Sequence, residues 1–185
     1  MTDFPLHTLD TAPAQAHDKL EAVESKMGFI PNLFGQLAEA PAALEGYLTL
    51  NDLLGKTSFS PAEQQVLVLS IAVENRCEFC VAAHSGGAKK AGVPEAVIEA
   101  LRNRRDVPDT RLAALADFAQ AVVRERGWVA EDEVESFLEA GFTKQNVFEV
   151  ILGVSLKTLS NYSNYIIAGT PLNPELSSFA WSAAK

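Results

Sequence analysis

The 185 residues hold only two cysteines and three histidines. Any fold must therefore stand without disulfide staples, and a structural zinc site lacks the second pair of ligands it would need beyond Cys77, Cys80 and His84, because His7 and His17 read as surface residues. Basic residues are also few: 15 Lys and Arg against 24 Asp and Glu leave a net charge of −9. That balance argues against nucleic-acid partners, whose phosphates call for clustered cations. The one basic run, Arg102 to Arg105, reads as a solvated helix end. No apolar run approaches the roughly 18–20 residues of a membrane span, and Met1 to Pro13 shows neither the basic nor the apolar region of a signal peptide. The expectation is a cytoplasmic protein with no membrane partner.

Alternating apolar and polar runs bounded by hairpin turns are missing too, which leaves no basis for a sheet. The remaining pattern is helical, and 48% hydrophobic content supplies ample core material for one domain. No repeat, low-complexity tract or long linker divides residues 1–185. Helices are predicted over Ala14 to Met27, closed by Gly28, and from Pro41 to about Leu54, with a short helical turn between them up to Ala40. Ser60-Pro61-Ala62-Glu63 is a capping box that opens the next helix and sends Val66, Leu67, Leu69, Ser70 and Val73 inward. Further helices follow from about Glu78 to Ala91, after Pro94, over Asp109 to Arg126, over Glu131 to Ala140, and from Lys144 to about Ala168 behind the Thr143 cap. The almost continuous apolar stretch from Val147 to Leu159 implies burial on more than one side and suggests a subunit contact. The tail from Gly169 to Lys185, with Phe179 and Trp181, reads as an arm packed on a neighbouring chain.

Both cysteines fall in Glu74-Asn75-Arg76-Cys77-Glu78-Phe79-Cys80-Val81-Ala82-Ala83-His84. In a reducing compartment a lone Cys-x-x-Cys points to catalysis or metal binding rather than to a permanent disulfide. A helix starting near Glu78 puts Cys80 and His84 on one face and Cys77 at its open end, where the N-terminus favours a thiolate. A histidine beside a thiol can take its proton, directly or through a water, and the thiolate can attack a peroxide oxygen. The product, a sulfenic acid, condenses with the second cysteine to a disulfide that an external thiol must reset. Glu74, three residues before Cys77, is a candidate proton relay if it is buried, and Glu63 is a capping acid. Asn161-Tyr162-Ser163-Asn164-Tyr165 supplies polar and aromatic groups for a pocket, or for a hydrogen-bonded core or interface.

From Ser60-Pro61-Ala62-Glu63 through Cys77-Glu78-Phe79-Cys80-Val81-Ala82-Ala83-His84-Ser85, the chain resembles the alkylhydroperoxidase D-like proteins of the carboxymuconolactone decarboxylase superfamily. Pro31-Asn32-Leu33-Phe34, Leu159-Ser160-Asn161-Tyr162 and Thr170-Pro171-Leu172 resemble its peroxidase-related branch. The resemblance implies an all-α helical bundle, with an N-terminal extension over about residues 1–40, a core motif region over about 59–92 and a C-terminal arm over about 169–185. It implies trimers or hexamers, a site near subunit interfaces and a cofactor-free, metal-free hydroperoxide reductase acting on a small-molecule hydroperoxide. On this resemblance Cys80 is the peroxidatic cysteine, Cys77 the resolving partner and proton donor, and His84 part of a proton relay. The implied reductant is a thiol, a dihydrolipoyl group on a partner protein in the best-understood members.

Two positions depart from the family pattern. Gln65, twelve residues before Cys77, stands where a glutamate is common, and Phe79 stands where some members carry a histidine. Gln65 cannot act as a base, so Glu74 is expected to take that role or the relay is incomplete. Two other readings stay open: a decarboxylase-like enzyme acting on a small cyclic acid, and a redox-responsive oligomeric binding protein without rapid turnover.

Overall fold

The computed structural model describes residues 4–167 and 169–183, and helices are the only regular structure among them. In chain order they are α1 (Ala14–Met27), α2 (Asn32–Leu37), α3 (Pro41–Leu54), α4 (Pro61–Glu74), α5 (Glu78–Lys90), α6 (Glu95–Arg102), α7 (Thr110–Arg124), α8 (Glu131–Glu139) and α9 (Lys144–Ile166). A 3-10 turn over Pro174–Phe179 follows. The predicted all-α bundle is the fold observed, with boundaries within a residue or two for most helices. Ala168, where the last helix was expected to end, lies outside the described residues, as do Met1 to Asp3, Ala184 and Lys185.

The bundle is built around α4. Its residues from Val66 to Val73 are all buried, because α5, α7 and α9 pack around it while α6 covers its end. Ser60 starts this helix as read from the sequence: its side chain accepts from Glu63 N–H, and Glu63 in turn accepts from Ser60 N–H at 2.8 Å. Glu63 also takes a hydrogen bond from Arg111 Nε at 2.9 Å, which ties the start of α4 to α7. Where α4 meets α9, Gly153 lets the helices close up; a Cβ there would lie 2.8 Å from Leu67 Cδ2. The residues of α1 join the same core through Ala16 and Leu20.

Two changes come from contacts within the chain. Between Gly169 and Ala183 the C-terminal tail packs on its own bundle. Phe179 lies against Gly86 of α5, Trp181 Nε1 donates to Arg102 O at 2.9 Å, and Asn173 Oδ1 accepts from Asn32 N–H at 2.8 Å. Asn32 Nδ2 returns a hydrogen bond to Pro171 O at 2.9 Å, which joins the Pro31-Asn32 and Thr170-Pro171 segments. The second change concerns Arg102 to Arg105. Arg102 is a clamp that donates to Ser85 Oγ at 2.8 Å, Phe179 O at 3.0 Å and Ala180 O at 2.9 Å, while Arg104 Nη2 donates to Val73 O at 2.6 Å. His7 is likewise held by Glu39 at 2.8 Å, its side chain only 11% exposed. Among the described residues no helix is long and apolar enough to cross a membrane.

Candidate active site

A tight turn delivers the cysteines. Helix α4 ends at Glu74, Asn75 caps it, and Arg76 takes the left-handed conformation (φ 54°), so that Cys77 N–H bonds back to Ala72 O at 2.9 Å. Such a conformation is costly for a residue with a Cβ and persists where the surroundings demand it. It turns the chain so that Cys77 becomes the N-cap of α5 and Cys80 sits in its first turn. Both thiols are free and buried, 3% and 1% exposed. The polar inner face of α9 lies against them. Lys157, Ser160, Asn161 and Asn164 recur at three- and four-residue spacing and so share one side of that helix.

Asn164 Nδ2 donates to Cys77 Sγ at 3.2 Å and to Cys80 Sγ at 3.4 Å. Its amide is oriented by Thr170, whose hydroxyl bonds Asn164 Oδ1 and lies 2.6 Å from Gln36 Oε1. With the oxygen so engaged, the NH2 end must face the sulfurs. Cys80 Sγ is also 3.9 Å from Ser160 Oγ. On the far side, Lys157 Nζ is 2.8 Å from His84 Nε2, and His84 Nδ1 is 3.3 Å from Gln65 Oε1. A glutamine oxygen only accepts, so Nδ1 carries the imidazole proton and Nε2 presents its lone pair to the lysine.

The electrostatics follow from these contacts. Burial opposes a charge on Cys80, but the hydrogen bond from the Cys77 thiol, the Lys157 ammonium and Ser160 outweigh it and bring the Cys80 thiol down to about 5. The same Cys77-to-Cys80 hydrogen bond, with burial added, pushes Cys77 far above the ordinary thiol value. Cys80 is thus the thiolate of the pair at neutral pH and Cys77 the thiol. Burial works against the Lys157 charge, yet the Cys80 anion more than offsets it and holds the ammonium above the usual lysine value. Burial and the Lys157 charge keep His84 neutral, well below the ordinary imidazole value.

Of the residues picked out in the sequence, Cys77, Cys80 and His84 come together, although imidazole and thiol meet through Lys157; among the described residues neither ring nitrogen is bonded to sulfur. Glu74 does not join them. Its carboxylate is 3.8 Å from Arg104 Nη1 and 3.9 Å from Arg124 Nη1, towards α6 and α7. The helix repeat explains this: nine residues separate Gln65 from Glu74, about two and a half turns, so the two side chains leave α4 on opposite faces. Gln65 itself occupies the position against His84. Lys157 escaped the sequence reading because it lies inside the apolar run from Val147 to Leu159. A lone cation in such a run is a signal in its own right, since a buried ammonium requires an anion beside it.

A cleft of about 370 Å³ opens onto the pair from outside, lined among others by Cys77, Phe79, Asn164, Tyr165 and Thr170. It meets Cys77 first, and Cys80 lies behind. The tail borders it, with Ala183 N–H donating to Glu78 Oε1 at 3.2 Å.

Residues 38–122, which carry the two cysteines and His84, match the carboxymuconolactone decarboxylase family model. Among solved structures, the alkylhydroperoxidase AhpD core of a peroxidase-related protein from Ralstonia eutropha JMP134 superposes with a TM-score of 0.81 at 25% identity, over 94% of this chain and 93% of that one. A peroxidase-related protein from Silicibacter sp. TM1040 gives 0.80 at 22% identity, over 95% and 92%. The debrominase Bmp8 shares the fold with a TM-score of 0.73 at 16% identity, over 97% and 95%. No protein of curated function matches the sequence. The chain has the all-α, AhpD-like fold that its motifs resemble.

Proposed function

We propose that the protein is a thiol-dependent hydroperoxide reductase in which Cys80 attacks and Cys77 resolves. One observation carries this reading: two free, buried cysteine sulfurs that both accept from Asn164 Nδ2, at 3.2 and 3.4 Å, beside the buried Lys157–His84 pair, a setting that favours a thiolate on Cys80. In the reaction the Cys80 Sγ lone pair forms a bond to the distal oxygen of a hydroperoxide, the O–O bond breaks, and alcohol leaves. Cys77 Sγ then attacks the sulfenic acid, the disulfide forms, and water departs.

The cleft suits the reset. A dithiol entering it reaches Cys77 Sγ first, and attack there expels Cys80, the sulfur with the lower pKa and so the better leaving group. The reductant is proposed to be a dithiol such as a dihydrolipoyl group, in a reducing cytoplasm. The assembly is proposed to be a homo-oligomer, supported by exposed Phe148, Ile151, Tyr162, Tyr165 and Ile166 on the outer side of α9.

Replacing Cys80 with Ser removes the nucleophile from a site that serine fills with little change of volume. Peroxide consumption by the reduced Cys80→Ser protein is expected to fall to the uncatalysed rate with an unchanged circular dichroism spectrum; full residual activity overturns the assignment. Because a debrominase shares this fold, release of bromide from a bromopyrrole is assayed alongside.

A further inference from the structure

Lys157 has no exposed surface, and its ammonium sits among Cys80, His84, Cys77 and Tyr47. Removing such a group from water costs several kcal/mol and is sustained only by a facing anion. The titratable groups around it are Tyr47 from α3 and Cys77, Cys80 and His84 at the start and inner face of α5; α4 contributes Gln65, which does not titrate. Tyr47 is kept neutral by burial, and His84 presents a lone pair but no charge. In the reduced protein the anion facing Lys157 is therefore the Cys80 thiolate.

Oxidation removes that anion, because a disulfide carries no charge. A lysine that stayed protonated would then be a buried cation without a partner, which is the costlier arrangement. The site escapes this only if a proton leaves Lys157 as the thiolate is consumed.

We propose that Lys157 is the proton donor of the cycle, giving its proton to the alkoxide as the O–O bond breaks and regaining one when the disulfide is reduced. This rests on the peroxidase reading of the same site. The balance closes. Cys80 thiolate, Lys157 ammonium and hydroperoxide become Cys80 sulfenic acid, neutral Lys157 and alcohol. The Cys77 thiol then forms the disulfide, and its proton leaves in water. Two electrons and two protons from an external dithiol restore the Cys77 thiol, the Cys80 thiolate and the Lys157 ammonium. His84, accepting from Nζ at 2.8 Å, holds the amine in place through both states.

The decisive measurement is a proton count during oxidation of the reduced full chain in weakly buffered solution with a pH indicator, joined to an ultraviolet titration of the thiolate. A thiolate at neutral pH with no net proton uptake per disulfide formed is the expected result. Uptake of one proton per disulfide shows that Lys157 keeps its charge and overturns the proposal. So does a Cys80 that titrates as an ordinary thiol. Diamide, a two-electron thiol oxidant with the same proton demand, gives the same count if hydroperoxide is not the substrate, which separates failure of this inference from failure of the peroxidase reading. Lys157→Arg keeps the charge but cannot release a proton: it is expected to retain the thiolate absorbance while losing about 100-fold in the oxidation rate by hydroperoxide, within the range of general acid catalysis. Lys157→Met is expected to lose both. A Lys157→Arg protein that oxidises at the wild-type rate contradicts the proton-donor role.

Discussion

Cys80 owes its character to the Cys77 thiol three residues before it and to Lys157 and Ser160 on α9, and Asn164 on the same helix also donates to its sulfur. Asn164→Ala deletes hydrogen bonds to both sulfurs. At roughly 1.5–3 kcal/mol for a bond to a charged group, the Cys80 titration is expected to rise by about one to two pH units, read by thiolate absorbance. The pH dependence follows with its sign. The Cys80 pKa is depressed to about 5, so the nucleophile is charged through neutral pH, and its reaction rate with hydroperoxide is lost as pH falls through about 5. A rate that instead climbs through the ordinary thiol range would show that Cys80 is not held as the thiolate. The Cys-x-x-Cys pair and His84 were legible in the sequence because a short spacing on one helix fixes their common face. Lys157, Asn164 and Thr170 were harder to assign, since their approach to the sulfurs depends on how α9 crosses α4 and α5. Glu74 lies away from the thiols for a reason the sequence did contain: its phase on α4 is opposite to that of Gln65.

At the scale of the elements, capping and punctuation were the readable part. Ser60, Gly28 and Thr143 mark helix ends through hydrogen bonds made within a few residues, so the boundaries follow from local chemistry. The tail was different. Its partners are Arg102, Gly86 and Asn32, and nothing in the sequence from Gly169 onwards distinguishes docking on its own α5 from docking on another chain. Arg102 holds two tail carbonyls and Ser85 at once, so Arg102→Ala is expected to loosen the tail while leaving the α4-centred core intact. Limited proteolysis from the C-terminus is expected to run severalfold faster in that variant; equal rates would place the tail's anchorage in Asn173 and Phe179 instead.

For the whole molecule, 15 Lys and Arg against 24 Asp and Glu set a net charge of −9. The apolar run of α9 signalled burial on two sides, and the single chain covers one of them. Phe148 is 72% exposed and Ile166 75% exposed on the other. A glutamate at Phe148 has no core contact to lose, so Phe148→Glu is expected to leave the thermal midpoint of the subunit nearly unchanged while shifting sedimentation towards smaller species. Unaltered sedimentation would contradict the proposed subunit contact on this face. The class of fold was open to sequence reasoning because helical periodicity and caps are local. The activity was open only as far as the thiol pair, since one fold can host more than one chemistry.

The most direct measurement is the consumption of cumene hydroperoxide by the reduced protein under stopped flow, with free thiols counted before and after one equivalent. The expected result is rapid loss of both thiols, with formation of the alcohol and regeneration by dihydrolipoamide. Two thiols that persist while the peroxide survives would contradict the peroxidase account.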